Sequence, residues 1–174
     1  MKTRAFPLLA ALTLGAGVTS VASAQALKPF ADPKLPFSFS YPVGWLGVDL
    51  GDKTSGVSMV SSKAPPAAMI RLLYVPKPAG AALNTTTEIT NFEQGLASTG
   101  VTVKRQSSYV ARYGGLSGTE REYLVSKAGK SVRMRVWFGL GSKNLYSFQV
   151  TDTPARYAAA SSTFTKVMGT VRFK

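Results

Sequence analysis

The sequence predicts an α+β fold, an antiparallel β-sheet accompanied by two helices in one domain. Three observations carry that prediction. Segments of alternating apolar and polar residues recur along the chain, the pattern of half-buried strands. Two other segments space their apolar residues as a helix does. The alternating segments of the C-terminal half follow one another through turns too short to hold a crossover helix, so they read as an antiparallel meander of hairpins and not as βαβ units.

Taken in order, residues 27–36 hold three prolines and read as a lead-in. Phe37-Ser38-Phe39-Ser40-Tyr41 alternates strictly and makes the first strand. Pro42-Val43-Gly44-Trp45 turns the chain, with Trp45 folding back on the sheet edge as a core lid. Residues 47–54 read as a loop or short hairpin. Residues 57–62 and 69–75 are strands divided by Lys63-Ala64-Pro65-Pro66, and Pro76-Lys77-Pro78-Ala79-Gly80 closes the run. The period then changes. Thr85-Thr86-Thr87-Glu88 has the form of a capping box, in which Thr85 accepts from an early amide and Glu88 reaches back. Ile89, Phe92 and Leu96 make a helical stripe, Gly95 weakens it, and Gly100 stops it.

Four more strands follow. Residues 101–112 open with Val101 and Val103 alternating against Thr102 and Lys104. Gly114-Gly115 turns the chain into residues 116–126, where Glu120, Glu122 and Leu124 share one face and Arg121, Tyr123 and Val125 the other. After the turn Lys127-Ala128-Gly129-Lys130, the clearest strand alternates Arg133, Arg135 and Trp137 against Val132, Met134, Val136 and Phe138. Gly141-Ser142-Lys143-Asn144 leads into residues 145–151, with Tyr146, Phe148 and Val150 on one face. The closing helix is expected to start with Thr153 as its cap and Pro154 in its first turn. Tyr157, Ser161, Phe164, Val167 and Met168 share one side, and the small residues at 155 and 158–162 permit close approach to a sheet. Val171-Arg172-Phe173 is an apolar tail able to add a strand or pack on the core.

The chain begins with Lys2 and Arg4, an apolar run over residues 6–21, and Ala22-Ser23-Ala24-Gln25-Ala26. That order is the pattern of a secretory signal peptide. The expected division is a signal peptide over residues 1–26 and a single α+β domain over residues 27–174, secreted or periplasmic. A membrane anchor is the weaker reading, because Pro7, Gly15, Thr19 and Ser20 interrupt a run shorter than the ~20 apolar residues that span a bilayer. No transmembrane segment is expected after cleavage. The chain has no Cys, which removes a thiol for lipid attachment, disulfides and thiolate metal sites. It carries 21 Lys and Arg against 8 Asp and Glu, and loss of Lys2 and Arg4 leaves a net charge of +11. Outside the cytoplasm such charge can meet anionic lipid headgroups, acidic envelope polymers, other proteins or extracellular DNA; the plain alternative is dispersed charge that only keeps the protein soluble.

With no His and no Cys, the usual proton shuttle and the most reactive thiol are missing. Ser-His-Asp and Cys-His arrangements and ordinary zinc sites are excluded. Gly44-Trp45-Leu46-Gly47 and Gly114-Gly115 are turns, not phosphate or dinucleotide loops. Asn84-Thr85-Thr86 matches a glycosylation acceptor, a pattern common by chance. Glu120 and Glu122, two apart on a strand, point to one side about 6.5–7 Å apart, a spacing compatible with acid and base in some glycosidases. The rival reading pairs them with Arg133 or Arg135 across the hairpin, which lowers carboxylate pKa values, the wrong direction for a general acid. Asp49 and Asp52 share a loop without a calcium-loop pattern and make a weak metal candidate. No catalytic residue, cofactor or metal is assigned, and no enzyme is expected; a hydrolase using Glu120 and Glu122 is the remote alternative.

The basic residues are the better lead. Lys104, Arg105, Arg112, Arg121, Lys127, Lys130, Arg133, Arg135 and Lys143 all fall within the meander. If Arg133 and Arg135 face solvent, adjacent strands gather positive charge on one sheet face or edge. The candidate binding set is Arg121, Arg133, Arg135, Trp137, Lys104, Arg105 and Lys130. Such a patch meets a polyanion through charge, with affinity that falls steeply in salt. Trp137 shares the face of the two arginines. Either it belongs to a stacking surface, or a helix covers that face and leaves the arginines at its rim. No nucleic-acid module is recognisable.

The layout resembles the PsbP-like and Mog1-like superfamily. The similarity lies in the start Phe37-Ser38-Phe39-Ser40-Tyr41-Pro42-Val43-Gly44-Trp45 and in Gly118-Thr119-Glu120 before a strand. It continues in the ending Leu145-Tyr146-Ser147-Phe148-Gln149-Val150, the helix around Tyr157 to Phe164, and Val171-Arg172-Phe173. The resemblance implies an antiparallel sheet flanked by helices in an α-β-α sandwich. Relatives of this kind are photosystem accessory proteins, small exported proteins or protein-binding adaptors, mostly without catalysis. The expectation is therefore an exported non-catalytic accessory or binding protein at the cell envelope, meeting an envelope protein, an acidic polymer or an anionic membrane surface through a basic surface. The alternative is a secreted binder of DNA or acidic polysaccharide.

Overall fold

A computed structural model describes residues 26–52 and 54–174, so the expected signal peptide, apart from Ala26, lies outside the described residues. The chain runs β1 (Leu27–Phe30), β2 (Phe37–Pro42), β3 (Leu46–Gly47), β4 (Ser55–Val60), β5 (Met69–Pro76), α1 (Thr85–Ser98), β6 (Thr102–Tyr113), β7 (Leu116–Lys127), β8 (Lys130–Leu140), β9 (Asn144–Asp152), α2 (Tyr157–Thr170) and β10 (Arg172–Phe173). Seven strands form an antiparallel sheet in the order β3-β4-β5-β9-β8-β7-β6, and β1-β2-β10 form a small second one. The expected meander is β6 to β9. It docks through β9 onto β5, with Ile70 opposite Val150 and Leu72 opposite Phe148. Helix α1 carries the chain from β5 to the far edge at β6.

Alternation sends successive residues of β8 to opposite faces, and each face is covered. On one side Trp137, Phe148, Val150, Ile70 and Leu72 pack against Phe37 and Phe39 of β2 and against Ala160, Phe164, Val167 and Met168 of α2. On the other side Val136, Phe138, Tyr123 and Val125 pack under Ile89, Phe92 and Leu96 of α1. The sheet is thus flanked by two helices, an α-β-α sandwich. Each large side chain fully buried in these layers contributes roughly 1.5–3 kcal/mol relative to exposure. Trp45 closes the first core as the sequence indicates.

Three local expectations are corrected. Residues 27–30 form β1 despite Pro29, pairing with β2 from Leu27 opposite Pro42 to Phe30 opposite Phe39; a proline is tolerated because β1 is an edge strand. The cap of α1 is Asn84, not Thr85: its side chain accepts from the Thr87 amide at 2.7 Å. Helix α2 begins at Tyr157 rather than at Pro154, because the Thr153 carbonyl accepts from both the Arg156 and Tyr157 amides and holds a preceding turn.

Two glycines decide how Trp137 sits. Its indole lies across β7 and β8 where a Cβ on Gly139 would come within 2.0 Å of the ring and one on Gly118 within 2.6 Å. The ring reaches a third strand, its Nε1 donating to the Ala111 carbonyl at 3.1 Å.

Candidate functional site

The charged face of the meander is built by the β7–β8 register. Glu120 stands opposite Trp137 and Glu122 opposite Arg135, so each glutamate reaches the arginine one step along the diagonal. Arg135 Nε donates to Glu120 at 2.5 Å, and Arg133 Nη2 donates to Glu122 at 3.0 Å. The Tyr113 hydroxyl donates to the second Glu120 oxygen at 2.8 Å, and the Tyr109 hydroxyl donates to the first. Arg135 then crosses to α2, donating to Ser161 Oγ at 3.2 Å and Thr165 Oγ1 at 2.8 Å, while its Nη2 donates to Tyr113 at 2.9 Å. Glu120 is 0% and Arg135 8% exposed. Arg133 stacks over the Tyr157 ring at 4.2 Å.

Burial first, then the Glu120 carboxylate, pushes the Tyr109 and Tyr113 phenols up to about 12. For Arg135 burial works against its charge, but the bond to Glu120 outweighs it and the guanidinium is held protonated even more firmly than usual. Burial followed by the neighbouring Glu122 raises the Tyr157 phenol, although its hydroxyl has no hydrogen-bond partner of normal geometry. On the opposite face Glu93 of α1 accepts from Arg121 at 2.6 Å and from Tyr123 at 2.9 Å.

Chemically this is a clamp that ties β6, β7 and β8 to α2. Three donors occupy the Glu120 carboxylate, and no solvent reaches it. Cross-strand pairing, the rival reading of the two glutamates, is what the structure contains, so Glu120 is not placed to protonate a substrate.

The seven candidate binding residues do not converge on one patch. Arg135 and Trp137 are buried under α2 and the small sheet, which corrects their placement at a surface: packing, not contact with a visitor, accounts for them. Arg133 and Arg121 are half-buried and ion-paired. Lys104, Arg105 and Lys130 are exposed and in no ion pair among the described residues. Lys104, opposite Leu124, lies on the α2 side of the sheet; Arg105, opposite Tyr123, lies on the α1 side. Lys130 pairs with Lys127 at the hairpin end.

Arginines and lysines have divided the work. Asp52, Glu93, Glu122, Glu120 and Asp152 pair with Arg71, Arg121, Arg133, Arg135 and Arg156 respectively. No lysine is in an ion pair among the described residues. The uncompensated charge therefore rests on lysines and on Arg105, Arg112 and Arg172. Sequence reading missed this division, although planar, bidentate arginine is the better partner for a partly buried carboxylate.

Asp52 is held by Arg71 and Thr54 and is not free for a metal. Among the described residues no three Asp, Glu, His or Cys side chains come together as a metal site would need. The hollows of the surface include a cleft of about 530 Å³ lined by Phe30, Phe39, Tyr41, Trp45 and Val57 beside Asp49, and a groove of about 800 Å³ lined by Leu46, Val60, Pro66, Met69 and Val132. No described helix is long and apolar enough to cross a membrane.

No protein-family model matches the chain, and no curated protein matches it in sequence. Solved structures do match in shape. Cyanobacterial PsbP (CyanoP) from Synechocystis superposes with a TM-score of 0.66 at 19% identity, covering 91% of this chain and 99% of that one. LpqN of Mycobacterium tuberculosis gives 0.60 at 14% identity, over 86% and 91%. A protein from Bacteroides thetaiotaomicron gives 0.60 at 13% identity over 84% of this chain, which spans about half of that longer one (48%). With its antiparallel sheet held between two helices and this likeness along nearly its whole described length, the chain has the PsbP-like fold.

Proposed function

We propose that the protein is an exported, non-catalytic accessory protein that binds an acidic partner at the cell envelope through its exposed lysines and arginines. The observation that carries this reading is the division of charge. Five carboxylates are held in arginine pairs, which leaves Lys104, Arg105, Arg112, Lys127 and Lys130 on the β6–β8 side of the molecule without counterions among the described residues. Support for the location comes from the signal-peptide pattern and from LpqN, which has this fold and is described as involved in cell envelope biogenesis. Support for a role without catalysis comes from the closure of the Glu120 clamp.

The test is charge reversal. A Lys104→Glu, Arg105→Glu, Lys130→Glu variant, which touches none of the buried pairs, should lose at least about tenfold of its binding to envelope components cross-linked to the native protein. Undiminished capture by that variant overturns the reading. Binding that collapses between low and physiological salt and extends equally to heparin and DNA identifies a general polyanion binder instead.

A further inference from the structure

We infer that the outer edge of β6 is a docking site for an extended acidic segment of a partner protein, which joins the seven-stranded sheet as an additional strand beside residues 108–112. This deepens the proposed function and rests on it. Strand β6 is twelve residues long and, among the described residues, pairs only with β7, so its other side has no described strand partner. The two-residue Gly114-Gly115 turn makes Tyr113 and Leu116 the first hydrogen-bonded pair. Alternation then directs the N–H and C=O groups of Ser108, Val110 and Arg112 away from β7. Open backbone of this kind is a template for another strand.

What that strand must look like is written beside the edge. Val110 is 79% exposed and Tyr109 45%, the most open stretch of apolar surface on the meander. Tyr109 keeps its hydroxyl on Glu120, so its ring is anchored in place and costs little to order. Lys104, Arg105 and Arg112 flank these residues, all exposed and unpaired, and β6 contains no acid. An apolar side chain opposite Val110 with a carboxylate two residues along, opposite Arg112, satisfies both, and the Lys104–Arg105 cations add attraction for an acidic segment. The bulge between Arg105 and Ser107 interrupts the pairing of β6 with β7 and separates the Lys104–Arg105 cations from the straight stretch that receives the segment. The same cations guard the edge against indiscriminate pairing: a neutral or basic strand leaves them unpaired, and a second copy brings a further +11 to the contact.

The experiment uses as probe a fluorescent octapeptide in which a glutamate stands two residues to either side of a central valine, so that the three share one strand face, with serine and threonine elsewhere. The three controls are its lysine-for-glutamate counterpart, the acidic peptide N-methylated at alternate residues, and heparin. Binding of the acidic probe with loss of about tenfold on N-methylation is expected, since methylation removes backbone donors and keeps the charge. Val110→Pro, placed where an edge strand tolerates proline, should weaken binding by a similar factor, with circular dichroism checking its fold. Amide exchange at Ser108, Val110 and Arg112 should slow when the probe binds. If the acidic peptide binds but methylation has no effect, or heparin binds as well and protects no β6 amide, the edge inference is overturned and the basic-surface reading stands. If no acidic probe binds even at low salt, both are overturned. A dimer in sedimentation that Val110→Pro converts to monomer assigns the edge to a second copy and overturns the acidic partner.

Discussion

Glu120 shows how one side chain can read as chemistry in the sequence and serve as structure in the fold. It is wholly buried, accepts from Arg135, Tyr109 and Tyr113, and has its counter-ion anchored on α2. Removing one partner of a buried pair strands the other charge, which costs more than the pair contributes. Glu120→Gln should therefore lower unfolding free energy by about 3–5 kcal/mol in urea titrations. Arg133→Ala, which breaks the more open pair with Glu122, should cost only about 1 kcal/mol or less by the same measurement. A cost for Glu120→Gln no larger than that would sink the clamp. Tyr109 and Tyr113 add a second residue-level prediction. Both are raised from the ordinary tyrosine value of 10 to about 12. Below pH 10 the phenols are protonated in folded and unfolded chains alike, so their contribution is constant. Between about 10 and 12 the unfolded chain releases protons that the folded one keeps, and stability falls as pH rises. Thermal midpoints should drop across that window while phenolate absorbance of the folded protein lags behind free tyrosine.

At the level of elements, the β7–β8 hairpin depends on glycines that make room for a ring. Gly139→Ala places a methyl 2.0 Å from the Trp137 ring, and the indole cannot stay where it donates to Ala111. The expected cost is about 1–3 kcal/mol, the range for overpacking a filled core, with a red-shifted tryptophan emission as the local readout. Unchanged emission and stability would mean that the ring is free to move. Strand periodicity was legible here because Arg133, Arg135 and Trp137 alternate cleanly with Val132, Met134, Val136 and Phe138. The role of each face was not, since alternation says which residues share a side and not what covers it. Pro29 hid β1 for a related reason: an edge strand obeys weaker rules than a central one.

Among the described residues, buried acids are paired with arginine and the unpaired cations stay at the surface. Arginines neutralise acids at the sheet faces, and lysines stay outside at net +11 for the domain without its expected leader. Self-repulsion among unpaired cations is screened by salt, whereas the buried Glu120–Arg135 pair is shielded from it. Raising ionic strength at neutral pH from low to physiological should therefore raise the thermal midpoint. A fall would show that exposed ion pairs outweigh repulsion.

From the amino-acid order alone came the antiparallel meander, both helices, an apolar tail able to add a strand or pack on the core, and the absence of thiol and imidazole chemistry. Those are properties of local period and composition, which neighbouring residues suffice to set. Only the folded chain decided that β9 joins β5, that α2 lies over Arg135 and Trp137, that Arg121, Arg133 and Arg135 each have their own acid, and that β6 has no second strand neighbour among the described residues. Each of these depends on pairs far apart in sequence, whose meeting is governed by burial and register rather than by any local pattern.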